Sequence, residues 1–218
     1  DETMTDYPPE PWALRGDFAV TVFAVPDSSV PEGLLDSAPP GARPLRLGGR
    51  LVVGLAAVHY GRGGVLDYEE LLLAVPVLHR GRVRVTIPRI LVTSPASRAG
   101  GRELWGIPKD LCSADRVARG RRLETSFQDV TGAPLATVRA EGARVALPGR
   151  WRVPLPTLQR LGGREFDSAN TVAGTIRPAR IEWELHGPFA WLQAATPLVS
   201  VAITKADIRF GERVHRSG

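Results

Sequence analysis

Cysteine and lysine are scarce in this chain of 218 residues. Cys112 is the single cysteine, which excludes an internal disulfide and is typical of proteins in a reducing cytoplasm. Lys109 and Lys205 are the only lysines, whereas 26 residues are arginine. This preference makes each lysine position informative, because arginine stays protonated in proteins whereas a buried lysine can lose its charge.

Long apolar runs are also absent. The longest, "LVVGLAAV" and "LLLAVPVL", are well short of the roughly 18 residues that a membrane-spanning helix requires. The first residues, "DETMTDYPPEPW", are acidic and rich in proline, unlike a secretory signal peptide or a transit peptide. We therefore expect a cytoplasmic protein without membrane association.

The sequence lacks the usual patterns of nucleic-acid and metal binding. The net charge is +5, but the arginines are spread along the chain and do not alternate with aromatic residues as in a base-stacking surface. The four histidines form no pair at i and i+4 and have no cysteine at ligand spacing. We therefore expect no nucleic acid partner, no metal and no cofactor.

Alternation of apolar and polar residues dominates the chain and predicts strands. Glycine and proline, 23 and 19 residues, separate the alternating segments and indicate many turns and few helices. Strands are predicted at or near 17–25, 51–58, 68–78, 81–92, 121–127, 133–140, 142–147, 180–187 and 197–212, and short helices at 31–38 and 189–195.

This pattern predicts a mainly β fold of the α+β class, one antiparallel barrel or sandwich with a few short helices. No internal repeat and no low-complexity linker divides the chain, and its length is common for a single all-β domain. We therefore predict one domain over residues 1–218, with loosely held tails at about 1–10 and 212–218.

Lys109 lies in the segment "GGRELWGIPKDL" (100–111), in mostly apolar surroundings. Lysine is rarely buried, because removing its charge from water is costly. A buried lysine that has become neutral is a nucleophile towards carbonyl groups and forms a Schiff base, which arginine cannot do. The alternative is a surface lysine on a loop, paired with Glu103 or Asp110.

Segment 100–111 resembles the signature of the acetoacetate decarboxylase family, in which Gly-Arg-Glu leads to Pro-Lys and that lysine forms the Schiff base. "LRGDFAVTVFAV" resembles the family's early strand, and "DYEELLLAVPV" resembles its Tyr-x-Glu segment. The ending "GPFAWLQAATPLVSVAITKADIRFGE" is similar too, so that the resemblance covers most of residues 7–212. It implies a closed antiparallel β cone or barrel with a lysine inside an apolar pocket, in a homo-oligomer.

The resemblance also implies roles for individual residues. The family's lysine, glutamate and arginine match Lys109, Glu70 and Arg15. Lys109 would be the nucleophile, and the other two would position the substrate and manage its proton and charge. The substrate-binding residues predicted around this catalytic set are Glu103, Trp105, His59 and Tyr68.

The chain departs from the family at two points. Asp110 replaces a second lysine, and "VVGLAAVHYG" lacks a second pocket glutamate, with His59 the nearest polar candidate. Adjacent side chains of an extended segment point apart, so Asp110 is expected to face away from Lys109, as is Cys112, a small core residue.

The resemblance implies a decarboxylase acting on a small keto acid or another carbonyl substrate. The alternatives are an aldolase-dehydratase, a cyclase or isomerase without an imine, and a small-molecule-binding protein.

Overall fold

A computed structural model describes residues 6–218, of which 62% lie in strands and 9% are helical. Predictions for residues 1–5 lie outside this range. The strands are β1 (Trp12–Val25), β2 (Arg43–Pro44), β3 (Arg46–Leu47), β4 (Arg50–Tyr60), β5 (Tyr68–His79), β6 (Arg82–Val92), β7 (Lys109–Arg119), β8 (Arg122–Asp129), β9 (Pro134–Gly142), β10 (Trp151–Pro154), β11 (Thr157–Leu161), β12 (Arg164–Leu185) and β13 (Thr196–Ser217). Helix α1 is Pro95–Trp105, and 3-10 turns occur at Asp27–Ser29 and Gly187–Leu192.

The strands form one mixed sheet that contains a ring. Its order is β6-β7-β8-β9-β12-β13-β1-β4-β5, and β5 pairs with β6 to complete the ring. The prediction of a mainly β, ring-shaped fold is therefore confirmed, but not every pair is antiparallel. β6 runs parallel to β7, and β11 runs parallel to β6. The β6–β7 pair is parallel because α1 carries the chain across between the two strands, as parallel neighbours require.

Helix α1 was not predicted from the sequence. Ser94 is its N-cap, Pro95 follows at the first helical position, and Gly106 ends the helix at φ +60°. These residues are typical of helix ends. Gly100 and Gly101 concealed the helix, because glycine is unfavourable in a helix interior by about 1 kcal/mol.

Other predicted elements differ in extent from the structure. Residues 31–38 form turns, 189–195 contributes only to a 3-10 turn, and 143–147 is not a strand. β13 continues to Ser217, which pairs with Glu165, so residues 212–217 belong to the sheet instead of forming a loose tail. The assignment of the whole chain to one domain stays a prediction.

Two clusters of buried side chains lie on opposite faces of β1, β4 and β5. Both faces of these strands are apolar, and each large side chain that is fully buried stabilises the fold by roughly 1.5–3 kcal/mol. The main core includes Phe23, Leu55, Leu73, Phe127 and Phe189. The pocket cluster comprises Trp12, Leu14, Ala56, Val58, Tyr60, Tyr68, Ile87, Ile90, Val92, Trp105, Ile107, Val172, Ala206 and Ile208.

Within residues 6–218, no helix is both long enough and apolar enough to cross a membrane.

Candidate active site

Lys109 is buried among the side chains of the pocket cluster. It is the first residue of β7, pairs with Ile90 of β6, and is 4% exposed. Its Nζ atom lies 2.9 Å from Ser97 Oγ, 3.2 Å from Glu70 Oε2 and 3.5 Å from the Tyr68 hydroxyl. The lysine is therefore enclosed, not held on a surface loop, and three oxygen atoms surround its nitrogen.

Glu70 shares this buried site and is 3% exposed. The hydroxyl of Tyr60 donates to its Oε1 at 3.2 Å, and that of Tyr68 donates to its Oε2 at 3.4 Å. The two tyrosines are opposite each other because β4 and β5 pair in that register. Two hydroxyls and one ammonium group thus compensate the carboxylate for its lost hydration.

The two tyrosines are held in the protonated form. Burial, followed by the charge of Glu70, raises the pKa of both Tyr60 and Tyr68 well above the ordinary value of 10.0. A hydrogen-bonding contribution from Ser97 opposes this rise in the pKa of Tyr68. Both hydroxyls consequently remain donors at neutral pH.

The remainder of the pocket is narrow and apolar. Its cavity is about 40 Å³, which accommodates about three water molecules. Among residues 6–218, Lys109 and Glu70 are the only charged side chains in the lining. The apolar and aromatic lining residues are Trp12, Leu14, Phe18, Tyr60, Tyr68, Leu72, Ile87, Ile90, Trp105, Ile107, Leu155, Val172, Ile208 and Phe210.

Helix α1 packs directly on the Lys109 side chain. A Cβ atom at Gly101 would lie 2.6 Å from Lys109 Cδ and 2.7 Å from Cε, so only glycine permits this approach. Ser97 is one turn earlier and lies on the same helix face as Gly101, since residues four apart stack along a helix. The glycine of the Gly-Arg-Glu motif thus has a packing role beside the lysine.

Trp105, a predicted substrate-binding residue, does line the pocket and is 1% exposed. Its ring meets that of Trp12 edge to face at 4.7 Å, and its Nε1 donates to Glu10 Oε2 at 2.9 Å. The Trp12 ring centroid lies 5.9 Å from Lys109 Nζ. The two indoles therefore form a rigid wall next to the amine.

Arg15 and His59 lie outside the pocket, contrary to the positions expected from the resemblance. Arg15 is 65% exposed in its side chain, and its Nε pairs with Asp207 Oδ1 at 3.1 Å. His59 pairs through Nδ1 with Glu69. The physical reason is strand alternation: the adjacent residues of these strands face the pocket, so Arg15 and His59 face the other way.

Glu103 is also outside the pocket and is exposed on α1. Burial is the main cause that raises the pKa of Tyr7, and the charge of Glu103 contributes to the same rise. It lies on the side of the helix opposite the lysine, because Ser97 and Gly101 occupy the face that contacts Lys109. Of the seven residues predicted for the site, the structure brings together Lys109, Glu70, Tyr68 and Trp105.

Asp110 and Cys112 face away from Lys109, as strand alternation predicts. Asp110 is 65% exposed in its side chain and lies 3.6 Å from Arg102 Nη1. Cys112 is buried in the main core on the opposite face. Burial, with the charges of Glu70 and Glu69, raises the pKa of its thiol to about 12.

Three residues of the site were not identified from the sequence: Ser97, Tyr60 and Trp12. The pairing of Tyr60 with Tyr68 across the β4–β5 hairpin was a detectable signal, because both strands had been predicted. Ser97 had no such signal, since its helix was not predicted.

Comparison with known proteins agrees with this fold. The model of the acetoacetate decarboxylase (ADC) family matches residues 39–187. The solved acetoacetate decarboxylase of Legionella pneumophila is 18% identical, with 94% of this chain and 87% of that chain covered and a TM-score of 0.72. The enduracididine biosynthesis enzyme MppR complexed with pyruvate is 17% identical, with 98% and 93% covered and a TM-score of 0.69.

An acetoacetate decarboxylase-like enzyme from Sphingomonas wittichii RW1 is 14% identical, with 98% of this chain and 91% of that chain covered and a TM-score of 0.66. At these identities the likeness establishes a shared fold. No curated protein sequence matches the chain.

Proposed function

Because the chain belongs to the acetoacetate decarboxylase family, we propose that it is an enzyme in which Lys109 forms a Schiff base with a short keto acid and releases carbon dioxide. One observation carries the proposal: Lys109 is 4% exposed in an apolar pocket, and its amine lies 3.2 Å from the Glu70 carboxylate. A buried ion pair is seldom more stabilising than apolar residues of the same volume, so a chemical role accounts for it better than stability does.

Imine formation uses the two charged residues of the pocket. Glu70 is within hydrogen-bond reach of Nζ and takes a proton from the ammonium group of Lys109. The neutral amine then attacks the ketone carbon, a C–N bond forms, and the ketone oxygen leaves as water. The product is a protonated imine, in which the nitrogen carries the positive charge.

Decarboxylation follows from that charge. The protonated imine accepts the electron pair of the breaking C–C bond as carbon dioxide leaves, which produces an enamine. A proton added to the enamine carbon regenerates the imine, and hydrolysis releases the ketone and the free lysine. Trp12, Trp105 and the aliphatic lining exclude bulk water and strengthen the electrostatic interactions of the intermediate.

The pocket lining favours decarboxylation over a reaction in which the substrate keeps its carboxylate. An aldolase-dehydratase acting on a keto acid retains the substrate carboxylate and needs cationic or hydrogen-bonding groups to hold it. Among residues 6–218, Lys109 is the only cation that lines the pocket, and Glu70 adds a negative charge beside it. A decarboxylase instead converts the carboxylate into an uncharged molecule, which such a pocket accommodates better.

The test is borohydride reduction of the protein with acetoacetate, followed by intact mass measurement and a carbon dioxide assay. We expect one adduct on the unmodified chain, none on Lys109→Ala, and an unchanged adduct on Lys205→Ala. Lys205 is exposed and is the only other lysine, so it is the matched control for nonspecific labelling. An isopropyl adduct reports that carbon dioxide left before reduction.

Pyruvate is the probe for the aldolase alternative, since the structural neighbour MppR was solved with it. An adduct with pyruvate but not with acetoacetate would favour the aldolase-dehydratase. Failure to trap either acid, with thermal stabilisation by one of them, would contradict Schiff-base chemistry and favour a binding protein. The homo-oligomeric state stays a prediction, which sedimentation of the same sample tests.

A further inference from the structure

Ser97 is the polar group closest to the lysine amine, although the reaction above does not use it. Its side chain is 0% exposed, and its Oγ lies 2.9 Å from Lys109 Nζ, nearer than the Glu70 and Tyr68 oxygens. The Tyr68 hydroxyl contacts the same nitrogen at 3.5 Å, and a hydrogen-bonding contribution from Ser97 lowers the pKa of Tyr68. The reactive nitrogen therefore has both hydroxyls as neighbours.

The two hydroxyls differ in their access to the cavity. Tyr68 lines the cavity, where a substrate binds next to Lys109. Ser97, on the first turn of α1, is fully buried and does not belong to the cavity lining. Ser97 can therefore exchange a proton with the nitrogen without contacting the substrate, and Tyr68 connects it to the cavity.

The position of Ser97 is fixed by its own backbone. Its N–H donates to the N-cap Ser94 Oγ at 3.1 Å, so the side-chain hydroxyl is not needed to satisfy the helix end. One turn later, Gly101 packs against the Lys109 methylenes. The amine and the hydroxyl are thus held together by the same helix face.

We propose that Ser97 is a catalytic residue that begins a proton relay from Lys109 nitrogen through Tyr68 to the substrate oxygen, an inference that rests on the proposed function. After the amine attacks, the adduct has a positive nitrogen and a negative oxygen. Ser97 accepts the nitrogen proton and gives its own to Tyr68, whose phenol proton passes to the oxygen. Both hydroxyls end unchanged, and the adduct becomes a neutral carbinolamine.

The relay leaves Glu70 free for the second proton. Glu70 holds the proton that it took from the ammonium group, and it transfers this proton to the carbinolamine hydroxyl. The C–O bond then breaks, water leaves, and the nitrogen lone pair forms the protonated imine. A hydroxyl has one donor and two acceptor positions, so Ser97 and Tyr68 can pass a proton without holding a charge.

The experiment measures the rate of borohydride trapping with acetone, which isolates imine formation from decarboxylation. We expect Ser97→Ala to form the same Lys109 adduct about 100-fold more slowly, at the lower end of the range for proton transfer by a side chain. Ser97→Thr keeps the hydroxyl and restores most of the rate. Ser94→Ala is the structural control, because it loosens the same helical turn without removing the hydroxyl at the amine.

A double variant sharpens the result. Ser97 and Tyr68 act in one relay, so Ser97→Ala combined with Tyr68→Phe should be little slower than the slower single variant. Equal trapping rates for Ser97→Ala and the unmodified chain would overturn the relay while leaving the Schiff base intact. A rate for Ser94→Ala as low as that of Ser97→Ala, or no rescue by Ser97→Thr, would also overturn it. No adduct on the unmodified chain would overturn both proposals.

Discussion

Glu69 and Glu70 are consecutive residues of β5, yet they belong to opposite faces of the sheet. Glu70 is 3% exposed, contacts Lys109 and accepts hydrogen bonds from two tyrosines. Glu69 pairs with His59 at the rim of the opposite face. The pair shows that one step along a strand separates a group placed for chemistry from one that serves the surface.

The side-chain pairs on the two faces also differ in how much they contribute to stability. A partly exposed contact such as His59–Glu69 is reached by water, and even exposed ion pairs contribute only about 0–1 kcal/mol. Loss of one partner from the buried Lys109–Glu70 pair leaves an uncompensated charge, which costs about 3–5 kcal/mol. A motif that contains two adjacent acids therefore does not say which acid matters until the strand's orientation is known.

The largest expected effect comes from exchanging the two glutamates for glutamine. Glu70→Gln removes the group that takes the Lys109 proton, and we expect decarboxylation to slow about 10²- to 10⁴-fold. Glu69→Gln should change the rate less than about threefold, because its side chain does not reach the pocket. Carbon dioxide release under single-turnover conditions measures both, with circular dichroism as the control for folding. Equal losses in the two variants would remove the distinction between the faces.

A smaller effect on the reaction rate is expected when alanine replaces Gly101, which packs against Lys109. Gly101→Ala would push the Lys109 methylenes aside, and a displacement near 1 Å costs about 100-fold in rate. Stability should change little in comparison, because alanine favours the helix by about 1 kcal/mol. Gly54→Ala is the matched control, since its nearest contact would be Ala74 O at 3.9 Å. Urea unfolding together with the trapping rate separates the two effects, and an unaltered rate in Gly101→Ala would contradict the packing role.

The smallest effect is expected in the free energy of unfolding at alkaline pH. The pKa of Tyr60 and that of Tyr68 are raised on folding, so between pH 10 and the higher folded-state values the unfolded chain loses protons that the folded chain keeps. Their contribution is therefore complete below about pH 10 and is lost as the pH rises, by up to about 1.4 kcal/mol per pH unit for each tyrosine.

Urea unfolding between pH 9 and 11 tests this linkage. Tyr60→Phe should reduce the slope of unfolding free energy against pH. His59→Gln, at the adjacent residue on the opposite face, should leave the slope unchanged, because it leaves Tyr60, Tyr68 and their contacts with Glu70 in place. A slope in Tyr60→Phe equal to that of the unmodified chain would mean that Tyr60 ionises alike in both states.

Much of the fold was predictable because strand alternation is a local property. The strands at 51–58, 68–78 and 81–92 all appear in the structure with somewhat different ends. Helix α1 was not predictable, because Gly100 and Gly101 are there for contacts with Trp12 and Lys109 that no local pattern reveals. The parallel β6–β7 pair followed from the same missing helix.

The site was predictable where the family motif includes the residue that faces the pocket. Lys109, Glu70, Tyr68 and Trp105 were identified from the motifs and lie together. Arg15 and Glu103 were also identified from the motifs, and His59 as the polar residue nearest to the missing second glutamate. All three lie outside the pocket, since a motif match does not state to which side a side chain points. Ser97 belongs to the site only through its 2.9 Å distance to Lys109 Nζ.

By itself, the sequence determined the family, the predominance of strands and the choice of lysine at position 109 in a chain that otherwise uses arginine. Only the tertiary structure decided which neighbours surround that lysine. The register of β4 with β5 places Tyr60 beside Tyr68, and the crossover through α1 brings Ser97 to the amine. These are contacts between residues distant along the chain, and they depend on strand pairing and helix packing, which no short segment encodes.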